Sequence, residues 1–225
     1  MSLLRPFIAF LLLALCGISL LRAADEAGGT KARKENSLIE EPEVALRKFT
    51  VAPGLKVDLF AAEPDVRNPV SMSIDERGRV FVVETDRRRS SVIDIRWHQE
   101  WLDADLSFRT VQDRSDFLKR EVVPSNRAVI DRLTKPGQGG FSDFNKDGVL
   151  DWRDLEVQSE RIRLLEDTNG DGRADHVSVF AAGFTNIIAG VAAGVLARHD
   201  EVYFACIPDL WKFTNDDLRF TSGWV

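Results

Sequence analysis

Apolar and polar positions alternate in short runs after residue 50, and this pattern predicts β-strands separated by turns. Residues 55–60 and 70–74 alternate with a period of two, which is typical of half-buried strands. Residues 75–78 form a turn that ends in a glycine suited to positive φ, and residues 79–84 provide the returning strand. Several short strands with glycine turns favour a sandwich, a barrel or a propeller.

The same alternation returns in the second half of the chain. Residues 161–164 and 177–180 each place apolar side chains on one face, and they flank a polar, acidic loop. We therefore predict a hairpin with that loop at its tip. Residues 187–196, 201–207 and 210–213 predict three further strands.

The strand pattern is interrupted over about residues 86–158, where we predict a helical insertion near 97–135. Thr110 and Asp113 have the spacing of a capping box, so a helix is expected over about 111–122 and is stopped by Pro124. A second helix is predicted over 126–133. The expected fold is therefore mainly β with this helical insertion.

Neighbouring residues in sequence also predict the surroundings of individual arginine, tryptophan and other polar side chains. Arg87, Arg88 and Arg89 are predicted to form a solvated turn, because three adjacent charges cannot share one core face. Trp97 and Trp101 share a helical face and are expected in the core. The remaining polar candidates have no catalytic or metal-binding spacing, so Asp103 and Asp105 are read as surface charges, His176 as structural, and His98 and His199 as scattered.

The N-terminus predicts export. Arg5 precedes an apolar run over 7–21, so residues 1–24 are typical of a secretory signal, with an uncleaved membrane anchor as the alternative. Residues 25–48 are polar and predict a flexible linker. Cys206 would be the single cysteine of the mature chain, which favours a periplasmic or cell-surface location. The net charge of −6 argues against nucleic acid as a partner.

Two acidic loops carry the strongest chemical signal. Loop 1 (residues 143–154) and loop 2 (residues 167–175) both contain the pattern D-x-N-x-D-G-x-x-D, which places oxygen atoms around a hard cation such as calcium. Polar turns without metal are the alternative. The predicted ligands, with Val149 and Arg173 contributing backbone carbonyls, are Asp143, Asn145, Asp147, Val149, Asp151 and Asp154 in loop 1 and Asp167, Asn169, Asp171, Arg173 and Asp175 in loop 2.

Loop 1 follows the twelve-residue EF-hand template, with two departures. Position 12 is Asp154 rather than glutamate, and the shorter side chain lets Mg²⁺ compete better with Ca²⁺. The residues before the loop, 136–140, are too rich in proline and glycine to form the entering helix, so a calmodulin-type sensor is not expected. Loop 2 has Ser178 at position 12 and is predicted as a calcium loop at a hairpin tip.

A set of short sequences resembles a known family. They are GLKVDLFAAEP at 54–64, NPVSM at 68–72, DERGRVFVVE at 75–84, WLDADL at 101–106, RIRLLEDTNGDGRAD at 161–175, VFAAGF at 179–184, GVAAGV at 190–195 and IPDLW at 207–211. Together they resemble the N-terminal domain of the PVC-type membrane-bound dehydrogenases. That domain is similar to the β-propeller of soluble glucose/sorbosone dehydrogenases, which use pyrroloquinoline quinone.

The resemblance covers residues 50–225 and implies a partial β-propeller of two to three blades. It also implies a longer parent chain with a cytochrome c-like haem domain downstream. Catalytic histidine and arginine positions lie in later blades of such propellers, so no catalytic or quinone-binding residue is assigned. An open propeller leaves sheet edges exposed, so the chain alone is expected to be marginally stable in solution.

The expected function is therefore the calcium-binding N-terminal propeller portion of an exported quinone-dependent sugar or alcohol dehydrogenase. Its expected partners are a metal ion, a sugar or alcohol substrate, an electron-accepting cytochrome and, through an uncleaved N-terminus, the membrane. The alternative is a calcium-stabilised, non-catalytic propeller that serves as a binding module at the cell surface.

Overall fold

The computed structural model describes residues 41–135 and 140–214, in two compact units that divide after Phe49. In the first unit, Pro42–Leu46 forms a short helix, α1, with proline at its first position. The sequence predicted that regular structure starts near residue 50. The helix α1 begins earlier, within the predicted linker of residues 25–48. The predicted signal, 1–24, and linker residues 25–40 lie outside the described residues.

The second unit is mainly antiparallel β-structure, which confirms the predicted mainly-β class. One sheet has the order β1-β2-β3-β4 and the other β5-β6-β7, and every neighbouring pair is antiparallel. The strands are β1 (Pro69–Ile74), β2 (Val80–Glu84), β3 (Glu160–Glu166), β4 (His176–Phe184), β5 (Gly194–Arg198), β6 (Glu201–Cys206) and β7 (Asp209–Thr214).

Two predicted strands differ from the structure. Residues 55–60 alternate but form no strand, and Leu55 is 68% exposed. The strand predicted over 187–196 begins only at Gly194, because earlier backbone groups are already bonded elsewhere. Gly190 N donates to Ile207 O at 2.7 Å, and Ala192 N donates to the Glu160 carboxylate at 3.1 Å.

The helical insertion lies between β2 and β3, as the sequence predicts. The capping box of Thr110 and Asp113 is present, with both reciprocal hydrogen bonds. The insertion contains 3-10 turns Ile95–Trp97, Gln99–Trp101 and Trp152–Glu156, and helices α2 (Leu102–Ser107), α3 (Val111–Glu121) and α4 (Arg127–Leu133).

The two larger of three buried hydrophobic clusters among the described residues organise this unit. The first joins the sheets, with Phe81 and Ile162 from one sheet and Phe204 from the other almost fully buried. The second lies in the insertion and contains Trp101, as predicted. Trp97 was also expected in a core but is 47% exposed, because it ends a 3-10 turn rather than sharing one continuous helix with Trp101.

Candidate functional site

Loop 1 lies in the insertion, and loop 2 connects β3 to β4 at the predicted hairpin tip. In both loops the first aspartate accepts hydrogen bonds from the backbone of the fifth and sixth residues. Asp143 accepts from Asp147 N at 3.2 Å and from Gly148 N at 2.9 Å. Asp167 repeats both bonds, with Asp171 N at 3.2 Å and Gly172 N at 2.8 Å.

The hydrogen bonds of the third and fifth residues are also the same in both loops. In loop 1, Asn145 Oδ1 accepts from Asp147 N at 2.9 Å, and Asp147 Oδ1 accepts from Val149 N at 2.8 Å. In loop 2 the same two distances, 2.9 and 2.8 Å, join Asn169 to Asp171 N and Asp171 to Arg173 N. The glycine at position six has φ near +85° in both loops, +83° at Gly148 and +88° at Gly172, which makes the sharp turn.

The closing carboxylate comes from a different position in each loop. Asp154, position 12 of loop 1, is fully buried and accepts from Phe144 N, Asn145 N and Asp151 N at 2.8, 3.2 and 3.1 Å. Asp175, position nine of loop 2, accepts from Thr168 N at 2.9 Å. Both carboxylates therefore bind the backbone of the second residue of their loop.

Asp151, position nine of loop 1, is directed differently from Asp175. It caps the 3-10 turn Trp152–Glu156 by accepting from Arg153 N at 2.8 Å, and its other oxygen bonds the Arg153 guanidinium. Within residues 41–135 and 140–214, no three His, Cys, Asp or Glu side chains converge as a metal-binding group. The other oxygen donors of the loop pattern are asparagine amides and backbone carbonyls.

Hydrogen bonds stabilise the ionised form of the Asp175 carboxylate in loop 2. The backbone N–H of Thr168, more than its hydroxyl group, lowers the pKa of Asp175 below the ordinary aspartate value of 3.8. Asp175 is therefore ionised at neutral pH, as a cation ligand must be.

A buried arginine beside the insertion contradicts the prediction of a solvated Arg87–Arg89 turn. Arg88 and Arg89 are exposed, but Arg87 is 0% exposed. Its guanidinium has enough donors to saturate several carbonyl oxygens at once, which makes burial of the charge tolerable. It donates to the carbonyls of Leu155, Gln158, Thr185, Asn186 and Ala189 at 2.8–3.2 Å.

Glu160 accompanies Arg87. Its carboxylate accepts from Thr85 Oγ1 at 2.8 Å, from Arg87 N at 3.0 Å and from Ala192 N at 3.1 Å, while burial raises its pKa. Burial, with Glu160 second, also raises the pKa of the nearby Cys206 thiol to about 12, so Cys206 is protonated and unreactive at neutral pH.

Sequence reasoning missed this buried polar group. No local signal separates Arg87 from Arg88 and Arg89, because the burial of Arg87 depends on carbonyl groups that only the folded chain brings together. The remaining candidates occupy surface or packing positions. Asp105 pairs with Arg114 at 2.7 Å, Asp103 is exposed, and His176 lies 2.9 Å from Glu166 on the surface.

The family described as domain of unknown function DUF7133 matches residues 41–218. No curated protein and no solved structure matches the chain. Among the described residues, no helix combines the length and apolarity needed to cross a membrane.

Proposed function

The chain belongs to the DUF7133 family, and we propose that it is a calcium-binding domain in which loop 1 and loop 2 each hold one ion. The observation that carries this proposal is the shared hydrogen-bond pattern of the two loops. The first, third and fifth side chains bind the same backbone positions in both, although the loops lie in different surroundings. Such Asx turns orient side-chain oxygens toward the inside of a loop, where a hard cation would bind.

Each loop offers a set of oxygen ligands for calcium. A carboxylate has about four lone-pair positions on its two oxygens, so an aspartate that accepts two or three hydrogen bonds can still bind a metal ion through a remaining position. In loop 1 we propose Asp143, Asn145, Asp147, the Val149 carbonyl and Asp154 as direct ligands, and Asp151, whose oxygens bind Arg153, as a ligand through water. In loop 2 we propose Asp167, Asn169, Asp171, the Arg173 carbonyl and Asp175. Bound calcium would supply positive charge among these carboxylates and cross-link each loop.

The role that we propose for calcium is structural. The last three residues of loop 1 begin the 3-10 turn Trp152–Glu156, and residues 140–150 contain no helix. A sensor needs a helix pair that opens on binding, and this arrangement does not provide one.

We further propose that the two sheets are successive blades of a β-propeller. Three observations support this: each sheet is a simple antiparallel meander, the sheets share one hydrophobic core, and their first strands lie together. Ala197 N of β5 donates to Ser73 Oγ of β1 at 3.0 Å. First strands of neighbouring blades meet in this way around a propeller axis.

With the family resemblance, these blades fit the N-terminal portion of an exported quinone-dependent sugar or alcohol dehydrogenase. No described residue is proposed to bind the substrate, the pyrroloquinoline quinone, the haem or the electron-accepting cytochrome. The alternative, a non-catalytic binding module, is favoured by one observation. Arg87 and Glu160, two fully buried charged groups, bind backbone atoms and the Thr85 hydroxyl rather than being left free for chemistry.

Calorimetric calcium titration of the full chain in metal-free buffer tests the metal sites. The variants are Asp143→Ala, Asp167→Ala and the double variant, with Asp103→Ala as control, because Asp103 is an exposed aspartate outside both loops. We expect two sites in the wild type and in the control, one in each single variant and none in the double variant. The absence of binding heat in the wild type, or wild-type heat in the double variant, would overturn the proposal.

A further inference from the structure

We propose that a second site, independent of the calcium loops, binds a small organic anion that carries a carboxylate or phosphate group on a compact body. The site is a cleft between the arginine turn after β2 and the helical insertion, and we call it the arginine cleft. Its polar lining is Arg88, Arg89, Arg96, Arg132, Asp94 and His98.

The size and walls of the arginine cleft suit a small molecule. Its volume is about 670 Å³, and ligand pockets usually measure roughly 300–1,000 Å³. Its apolar lining includes Ile93, Leu133, Phe141 and Val191, and half-exposed Trp97 offers a flat indole surface. A ring such as a sugar could lie against these side chains while its anionic group faces the guanidinium groups.

Charge in the arginine cleft is opposite to that of the whole chain. Four guanidinium groups and one carboxylate line it, although the chain carries a net charge of −6. Asp94 neutralises Arg96, whose hydrogen bonds lower the pKa of Asp94 to about 2. Arg132 is paired with Glu100.

Arg88 and Arg89 are left to bind a ligand. Within the part of the chain that the structure describes, neither guanidinium has a hydrogen bond or an ion pair, although Arg89 interacts with Asp94 at longer range. Two adjacent, exposed guanidinium groups without partners can bind a carboxylate or a phosphate through paired N–H donors.

The turn that presents these arginines is held by several hydrogen bonds. The Arg87 carbonyl accepts hydrogen bonds from Ser90 N, Ser91 N and Val92 N at 3.0–3.1 Å, while the buried Arg87 guanidinium holds the other side. Arg89 has a left-handed backbone with φ of +66°. A ligand would therefore meet a preformed turn and lose little free energy in ordering it.

The unpartnered ring nitrogen of His98 independently indicates a ligand in the arginine cleft. The ring is only 4% exposed, it lines the arginine cleft, and its Nδ1 has no hydrogen-bond partner in the described chain. Glu100 Oε1 lies 3.4 Å from Nδ1 but without hydrogen-bond geometry. Burial and then Arg132 lower the pKa of His98, so the ring is neutral and can donate one N–H to an anionic oxygen.

Binding can be measured by calorimetry with glucose 6-phosphate, glucuronate and glucose in buffer stripped of divalent cations. Without calcium, the result does not depend on whether the acidic loops bind metal. We expect glucose 6-phosphate and glucuronate to bind at least ten-fold more tightly than neutral glucose. The stronger of the two anions identifies phosphate or carboxylate as the preferred group.

Three variants assign the binding to the arginine cleft. Arg88→Gln/Arg89→Asn removes two charges, with asparagine chosen because it tolerates positive φ. His98→Phe retains the stacking on Trp101, whose ring centroid lies 4.6 Å away, but removes the ring nitrogens. Arg109→Gln/Arg198→Gln removes two exposed charges outside the cleft as the control. Thermal melting by circular dichroism checks that each variant folds.

We expect about ten-fold weaker anion binding in the double cleft variant, about three-fold weaker binding in His98→Phe and less than a two-fold change in the control. Three results would overturn the proposal. They are no binding of either anion to the wild type, equal affinity for glucose, and an equal loss of affinity in the control, which would indicate non-specific attraction.

Discussion

Loop 1 and loop 2 share a sequence pattern and a hydrogen-bond pattern, but their surroundings differ. The closing carboxylate of loop 1, Asp154, is 0% exposed and binds three backbone N–H groups. The closing carboxylate of loop 2, Asp175, is exposed and binds Thr168 through its N–H and hydroxyl groups. The same acidic motif is thus part of a core in one place and part of the surface in the other.

The connections of each loop explain this difference. Loop 1 is anchored to the insertion because Trp152 N donates to Val122 O at 2.9 Å, and Leu155, just beyond the loop, is fully buried. Loop 2 is attached beyond its own hairpin by Ala174 N, which donates to Phe60 O at 2.9 Å. We therefore expect changes in loop 1 to affect global stability and changes in loop 2 to remain local.

The largest expected effect is that of Asp154→Ala. The substitution removes the acceptor of three backbone N–H groups, of which that of Asp151 is buried and those of Phe144 and Asn145 are partly buried, and a buried group left without an acceptor costs roughly 1–3 kcal/mol. We expect the free energy of unfolding to fall by about 3 kcal/mol or more, measured by urea denaturation in metal-free buffer. Without metal, the loss reports the hydrogen bonds rather than calcium binding.

Asp175→Ala is the matched substitution in loop 2. Water can satisfy the Thr168 N–H at this exposed position, so the decrease in stability should be clearly smaller than for Asp154→Ala. Equal losses in the two variants would show that the burial of the closing carboxylate does not distinguish the loops.

The next effect concerns calcium and thermal stability. A ligand that binds only the folded state raises the free energy of unfolding, by about 2.7 kcal/mol at a hundred times its Kd. Loop 1 connects the insertion to β3, so Asp143→Ala should remove more of the calcium-induced rise in Tm than Asp167→Ala. Differential scanning calorimetry with and without saturating calcium measures both. A larger loss in Asp167→Ala would reverse the proposed order of the loops.

The smallest effect is the pH dependence of loop 2. Because the folded-state pKa of Asp175 is lowered, this group contributes stability that is complete above pH 3.8, its ordinary value, and is lost as pH falls through the folded pKa. Asp175→Asn should therefore flatten the acid side of the stability curve below about pH 4. Urea denaturation at several pH values, with Asp103→Asn as control, measures this. An unchanged acid slope would contradict it.

Local patterns predicted those elements whose pairing partners are close in sequence. The β1–β2 hairpin, the β3–β4 hairpin and helix α3 with its capping box follow from alternation and capping residues alone. Residues 55–60 show the limit of this reasoning, because alternation does not say whether a neighbouring strand is available for pairing.

The arginine turn shows a second limit. Arg87, Arg88 and Arg89 are identical in type, yet the first is buried and the others are exposed. The carbonyl groups that bind Arg87 lie far from it in sequence, with separations from 68 to 102 positions. Only the folded chain brings these acceptors together, so no local pattern could separate the three arginines.

The sequence by itself determined the mainly β class, the helical insertion and the two acidic loops, because strand alternation, helix capping and Asx turns depend on neighbouring residues. The tertiary structure decided which carboxylate closes each loop, which arginine is buried, and where the exposed arginines and His98 form one cleft. These features depend on burial and on distant backbone acceptors, and both exist only after the sheets and the insertion have packed.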